Sequence, residues 1–133
     1  MSGASAVWTT LRGRRILVVE DEYMIAEEIG AMLSDAGVEV LGPVPSVADA
    51  MRLIAVEARI DGALLDVNLG HEAVWQVVDA LLARGVLLVL TTGYDAGAIP
   101  PAYSRLPRCE KPATGQELAR ALAEVMVALP DKG

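Results

Sequence analysis

The sequence predicts an α/β fold in which helices cover both faces of a five-stranded parallel sheet. Short, continuous apolar segments alternate along the 133 residues with longer segments whose apolar residues recur at helical spacing. The short segments do not alternate apolar with polar residues, which is typical of strands buried on both faces. Strands that alternate with helices pair in parallel through right-handed crossovers. Because 53% of the residues are hydrophobic and none is Phe, the core must consist of smaller apolar side chains.

The first half of the chain contains two pairs of a strand and a helix. Residues 15–21, RILVVED, predict a first strand that ends in acid, and Gly37 supplies the stop of the helix that follows. Residues 38–44 predict the second strand, and Ser46 is placed to cap the second helix. The apolar residues at helical spacing are Met24, Ile25, Ile29, Met32, Leu33 and Ala36 in the first helix, and Val47, Ala50, Met51 and Ile54 in the second.

The middle of the chain repeats this pattern. Residues 62–66, GALLD, predict a third strand, and residues 86–90, VLLVL, predict the fourth. Between them lies a helix that Arg84 and Gly85 end. Its apolar residues are Val74, Val77, Val78, Leu81 and Leu82.

The segment between Thr92 and Lys111 interrupts the regular alternation. It contains three prolines and two glycines, yet it must accommodate the fourth helix and the fifth strand. We therefore expect a short, irregular or mobile fourth helix. Thr114 and Glu117 then form a T-x-x-E capping box for the last helix. The apolar stripe of that helix is Leu118, Leu122, Val125, Met126 and Leu129.

The composition disfavours several classes of function. A formal net charge of −7 repels nucleic acid phosphates and anionic lipids, so we expect neither direct nucleic acid binding nor membrane binding. Arg12, Arg14 and Arg15 form the one dense basic patch, which is typical of a solvated segment. The single Cys109 and the absence of a signal peptide or a long apolar run indicate a cytoplasmic protein.

Polar side chains collect at the carboxyl ends of the predicted strands, where open parallel sheets bind their ligands. Clustered carboxylates raise each other's pKa unless a cation lies between them, and Mg²⁺ prefers such oxygen ligands. We therefore expect a magnesium site in which Asp21, Asp66 and a backbone carbonyl near Asn68 are ligands and Glu20 acts through a water molecule. The residues at the strand ends are Glu20, Asp21, Glu22, Asp66, Thr91, Thr92 and Lys111.

A metal ion held by carboxylates beside a lysine and a hydroxyl group suits phosphoryl transfer. The sequence has no Gly-rich phosphate-binding loop for a nucleotide. A carboxylate can itself be the nucleophile, and Asp66, at the end of an apolar strand, is best placed to form an aspartyl phosphate. The hydroxyl is that of Thr91 or Thr92, because a shift of one residue in strand register would exchange which of the two faces the site.

Four short motifs lie on these elements: VVEDE at 18–22, LLDVNL at 64–69, LTTGY at 90–94 and EKP at 110–112. Together and in this order they resemble the receiver domain of two-component response regulators. The resemblance spans about residues 14–128, which leaves residues 1–13 as an N-terminal extension and residues 129–133 as a C-terminal tail. It implies a flavodoxin-like, doubly wound sheet with the strand order 2-1-3-4-5. It also implies a stand-alone, single-domain regulator that signals through protein partners.

The resemblance implies a role for each residue of the site. Asp66 would accept a phosphoryl group from a histidine kinase or a histidine phosphotransfer protein. Thr92 would move to bond that group, Lys111 would pair with it, and the Lys111–Pro112 peptide would be cis. The implied magnesium ligands are Asp66 and Asp21, Glu20 through a water molecule, and Asn68 through its backbone carbonyl.

The chain departs from the receiver pattern after the fourth strand. Arg108 stands three positions before the lysine, where receivers often carry an aromatic switch residue, and Ala113 follows Lys-Pro in place of Phe. Tyr94 is a candidate replacement for the missing aromatic. These departures motivate an alternative function, a receiver-like interaction module that is not phosphorylated. A phosphatase with an aspartyl nucleophile is disfavoured, since it would carry a second Asp where Asn68 stands, and we expect catalysis only of the chain's own phosphorylation and dephosphorylation.

Overall fold

A parallel sheet of five strands lies at the centre of the protein, in a computed structural model that describes residues 8–70, 72–93 and 99–127. The strands are β1 Arg15–Val19, β2 Glu39–Val44, β3 Gly62–Asp66, β4 Leu87–Thr92 and β5 Arg108–Glu110. In the described part of the chain, the α-helices of nine or more residues are α1 Tyr23–Asp35, α2 Val47–Val56, α3 Trp75–Ala83 and α4 Gly115–Val127. The strand order is β2-β1-β3-β4-β5, and every pairing in this sheet is parallel. The predicted doubly wound α/β fold is therefore confirmed.

The sheet separates two clusters of buried apolar side chains. Successive side chains of a strand point to opposite faces, and β3 divides accordingly. Ala63 and Leu65 pack in the cluster that contains residues of α2 and α3, whereas Leu64 packs in the cluster of α1 and α4. Both faces of the central strands are thus buried, as their continuous apolar sequence predicts.

The predicted helix caps are present. The Ser46 hydroxyl accepts a hydrogen bond from the Asp49 N–H at 3.1 Å and caps α2. The Thr114 hydroxyl accepts one from the Glu117 N–H at 3.1 Å, while the Glu117 carboxylate accepts one from the Thr114 N–H at 3.0 Å. This reciprocal pair is the predicted capping box of α4.

Two side chains that were predicted to lie on a buried helix face are exposed. Met24 is 81% exposed and Leu82 is 43% exposed, so the prediction of burial from helical spacing was wrong for these two residues. Both helices bury one stripe, and each of these side chains falls outside it. Leu11, placed in the N-terminal extension, is fully buried and packs in the cluster of α1 and α4. Leu129 lies outside the described residues.

A small hairpin follows β3 directly. Asn68–Leu69 pairs antiparallel with Glu72–Ala73 immediately before α3, an element that the sequence did not predict. Strands of two residues are too short to show periodicity. The hairpin connects the last residue of β3 to the start of α3.

The segment between β4 and β5 contains little regular structure among its described residues. One 3₁₀ turn, Pro101–Tyr103, stands where the fourth helix was expected, so the prediction of a short helix is confirmed for this part. The Tyr103 ring stacks on the Trp75 ring with centroids 4.6 Å apart and planes at 10°. The Tyr103 hydroxyl also donates a hydrogen bond to Asp79 Oδ1 at 2.7 Å. Within the described ranges, none of the helices is long and apolar enough to span a membrane.

Candidate functional site

The strand register brings four polar residues to one face of the sheet at its carboxyl edge. In a parallel sheet, Cα partners on neighbouring strands share a face, and so do residues two apart on one strand. The Cα partners that fix this face are Val18 with Leu64, Asp66 with Thr91, and Thr91 with Cys109. By this register Glu20, Asp66, Thr91 and Lys111 belong to the same face, which is the face covered by α1 and α4.

Asp66 has a partner for each of its carboxylate oxygens. Asp66 is the last residue of β3, and it is only 2% exposed. Oδ1 accepts a hydrogen bond from the Asn68 N–H at 3.0 Å, and Oδ2 lies 2.9 Å from Lys111 Nζ. Hydrogen bonds and an ion pair offset the cost of burying this carboxylate.

Two further carboxylates lie beside Asp66. One oxygen each of Glu20, Asp21 and Asp66 falls within 4.8 Å of the others. Glu20 is 4% exposed, whereas Asp21 is exposed. Burial raises the pKa of Glu20 to about 7; the Glu22 N–H, 3.1 Å from Oε2, opposes this rise, and the Asp66 charge adds to it. The site therefore concentrates negative charge that a cation would compensate.

The donor set fits a hard divalent cation. Mg²⁺ takes carboxylate and carbonyl oxygens and keeps several water molecules, and an exposed Asp21 beside two buried acids leaves room for such a hydrated ion. The Asn68 N–H contacts Asp66 in this structure, and a ligand role for the Asn68 carbonyl stays a prediction. The residues that would hold the ion are Glu20, Asp21 and Asp66, with Asn68 as a predicted fourth.

Lys111 faces three carboxylates. Its Nζ lies 2.9 Å from Asp66, 3.7 Å from Glu22 and 3.9 Å from Glu20. Burial lowers the pKa of Lys111, but the three acids outweigh burial, and the net pKa is raised. The Lys111 N–H donates to the Thr92 carbonyl at 2.7 Å, and the Lys111–Pro112 peptide is cis as expected.

Comparison with known proteins shows which family the chain belongs to. No protein-family model and no curated protein matches the chain. The crystal structure of a response regulator receiver protein from Sinorhizobium medicae WSM419 shares its fold, with 24% identity, coverage of 86% of this chain and 95% of that chain, and a TM-score of 0.72. The solution structure of SdrG from Sphingomonas melonis Fr1 is 34% identical, with 86% and 97% coverage and a TM-score of 0.73. The chain belongs to the response regulator receiver family.

A second structure of SdrG is similar to nearly the same extent. The BeF3-activated conformation of SdrG from Pseudomonas melonis Fr1 is 34% identical, with coverage of 84% of this chain and 95% of that chain and a TM-score of 0.69. The receiver fold thus extends over most of the present chain.

The two adjacent threonines that end β4 face opposite sides of the sheet. Thr91 shares the face of Asp66 and lines an open cavity together with Glu20 and Lys111. Thr92 is buried as well, but alternation along β4 places it with Leu90 on the other face. The predicted contact of Thr92 with a phosphoryl group stays a prediction. Sequence reasoning named Thr91 only as the alternative to Thr92, because the deciding signal was the pairing of β3 with β4.

The structure describes both positions after β4 at which this receiver departs from the family pattern, Arg108 and Ala113. Arg108 begins β5 with an exposed side chain, and its guanidinium donates a hydrogen bond to the Ser104 carbonyl at 2.9 Å. Ala113 packs against the cluster of α1 and α4. Tyr94, the candidate replacement for the switch aromatic, lies outside the described residues.

Proposed function

We propose that this receiver accepts a phosphoryl group on Asp66 and signals through protein partners. The observation that carries the proposal is the buried Asp66 carboxylate, 2.9 Å from Lys111 Nζ and beside the carboxylates of Glu20 and Asp21. A carboxylate nucleophile, a paired ammonium and a divalent-cation donor set are the parts that phosphoryl transfer to an aspartate requires.

The transfer step follows from these positions. A carboxylate oxygen of Asp66 forms the new O–P bond while the N–P bond of a donor phosphohistidine breaks, and the leaving imidazole nitrogen takes a proton from water. Lys111 neutralises charge on the phosphoryl oxygens, and the Asn68 N–H orients the Asp66 side chain. Mg²⁺, bound by Glu20, Asp21, Asp66 and Asn68, would supply further charge neutralisation.

The proposed phosphate donor is a histidine kinase or a histidine phosphotransfer protein, and the proposed recipient of the signal is a downstream protein. Support comes from SdrG, a 34% identical relative for which a BeF3-activated conformation is described. Phosphorylation would shift the population between two conformations of the receiver, so that partners bind one of them better. The only chemistry proposed for the chain is its own phosphorylation and dephosphorylation.

Intact-mass measurement tests this function. The native chain, incubated with acetyl phosphate and Mg²⁺, should gain the mass of one phosphoryl group, and Asp66→Asn should gain none. Asp49→Asn is the matched control, because Asp49 pairs with Arg52 on the surface of α2, and this variant should be phosphorylated like the native chain. Absence of uptake by the native chain would refute the proposal, and uptake by Asp66→Asn would refute the assignment of Asp66.

One observation favours the alternative of an interaction module that is not phosphorylated. The position of the switch aromatic is held by the exposed Arg108, so the usual coupling of threonine and aromatic side chains is missing at that point. A native chain that gains no phosphoryl mass, yet binds a partner equally with and without Mg²⁺, would establish this alternative.

A further inference from the structure

Thr91 lies beneath the ion pair of the site. Strand β4 stands between β3 and β5, so the contact from Lys111 to Asp66 must cross it. Thr91 is the Cα partner of Asp66 on one side and of Cys109, two residues before Lys111, on the other. Its side chain therefore lies on the face that the ion pair covers.

The Thr91 hydroxyl has no hydrogen-bond partner among the described residues. Its Oγ1 is buried, and the residue is 5% exposed. A buried hydroxyl without a partner is destabilising and rare in native proteins. Thr91 lines an open cavity of about 660 Å³ together with Glu20, Glu22 and Lys111, so the residue borders the site.

The Lys111 ammonium has hydrogen-bond donors that are not used in the described part of the chain. The ammonium carries three donors, and in the described part of the chain the side chain makes one hydrogen bond, to Asp66. The distances of 3.7 Å to Glu22 and 3.9 Å to Glu20 are too long for hydrogen bonds. An unused acceptor on Thr91 and unused donors on Lys111 thus belong to two residues that line the same cavity.

We propose that Thr91 is a positioning residue that holds Lys111 in place while the phosphoryl group is transferred to Asp66, by accepting a hydrogen bond from its ammonium. This inference rests on the proposed function. Formation of the O–P bond removes the negative charge from the Asp66 carboxylate, which is the group that now anchors Lys111. The Thr91 hydroxyl then provides a second anchor, and the ammonium stays directed at the phosphoryl oxygens.

The rate of phosphorylation by acetyl phosphate tests the role of the hydroxyl. Thr91→Val removes the hydroxyl at nearly constant shape and should slow phosphorylation about threefold to tenfold, the effect of one hydrogen bond. Thr91→Ser keeps the hydroxyl and should remain within about twofold of the native rate. Thermal unfolding of both variants verifies that they fold. A native rate in Thr91→Val, or failure of serine to restore the rate, would overturn the proposal.

A double-mutant cycle tests whether Thr91 acts through Lys111. If it does, Thr91→Val should cause no further loss in the Lys111→Met background. An equal loss in both backgrounds would show a general packing effect and would overturn the proposal.

A third measurement does not require phosphorylation. Asp66→Asn replaces the carboxylate that anchors Lys111 with a neutral amide. In this background the ¹H–¹⁵N signal of the Lys111 ammonium should shift and exchange faster with water in Thr91→Val but not in Thr91→Ser. An unchanged signal would overturn the proposal even if the native chain is phosphorylated. A native chain that takes up no phosphoryl group would instead refute the proposed function, and the ammonium signal would still decide whether Thr91 contacts Lys111.

Discussion

The Lys111 ammonium lies 2.9 Å from Asp66 Oδ2 and joins the last residue of β3 to the residue that follows β5. This contact is the one side-chain hydrogen bond recorded between Lys111 and the acids of the site, among residues that the structure describes. Asp66 and Glu20 are both buried, and a buried carboxylate is stable only with compensating charge or hydrogen bonds. Lys111 therefore stabilises the folded protein in addition to its proposed role with phosphate.

Replacement of Lys111 with Met should lower the free energy of unfolding by about 2–4 kcal/mol without Mg²⁺, because it leaves buried carboxylates unpaired. Mg²⁺ should restore part of this loss, since the cation compensates the same charges. Urea unfolding with and without Mg²⁺ measures both effects. Arg52→Met is the control, because it removes the exposed pair with Asp49 and should change stability by less than about 1 kcal/mol. Equal losses in the two variants would contradict this prediction.

The pKa of Glu20 predicts how stability depends on pH. Burial raises this pKa to about 7 in the folded protein, above its value in the unfolded chain of about 4.3. The folded state then holds the Glu20 proton more tightly than the unfolded state. The resulting stabilisation is fully present below the unfolded pKa and is lost as the pH rises through about 7.

Without Mg²⁺, the free energy of unfolding should therefore decrease between about pH 5 and pH 8 in the native chain. Glu20→Gln should flatten this decrease, because an amide does not titrate. Urea unfolding at several pH values checks the difference between the two proteins. Identical pH profiles would show that Glu20 is not the titrating group.

Asp21 should be required for magnesium binding. Its exposed carboxylate completes the cluster with Glu20 and Asp66 but makes no recorded contact with Lys111, so Asp21→Asn removes a ligand with little disturbance of the ion pair. In the native chain, Mg²⁺ at about 100 times its dissociation constant should stabilise the fold by about 2.7 kcal/mol. Asp21→Asn should lose most of this gain in thermal unfolding, whereas the exposed Glu22→Gln should keep it. A full magnesium response in Asp21→Asn would refute the ligand assignment.

The sequence predicted those parts of the fold that depend on local signals. The apolar run of β3 ends at Asp66 as expected, and the capping box of Thr114 and Glu117 opens α4. The convergence of Glu20 and Asp21 with Asp66 followed from one rule, that parallel strands end at the same edge of a sheet.

Features that depend on contacts between distant residues were not predictable in this way. The periodicity of an isolated helix does not show which neighbour covers it, and Met24 was therefore assigned to a buried face although it is exposed. The choice between Thr91 and Thr92 required the register of β4 on β3. The stacking of Trp75 on Tyr103 joins residues 28 positions apart in the chain, and neither residue carries a local signal for the other.

The stacked pair of Trp75 and Tyr103 should fix the segment before β5 onto α3. Tyr103→Leu removes the stack and the hydrogen bond to Asp79, and it should lower the free energy of unfolding by about 1–2 kcal/mol. Tyr103→Phe keeps the ring and loses only the hydrogen bond, so its loss should be smaller. In a Trp8→Phe background, fluorescence reports on Trp75 alone, and its emission should change in Tyr103→Leu but remain close to native in Tyr103→Phe. An emission spectrum that is the same in all three proteins would show that the rings are not stacked in solution, and the segment before β5 would then require another contact with α3.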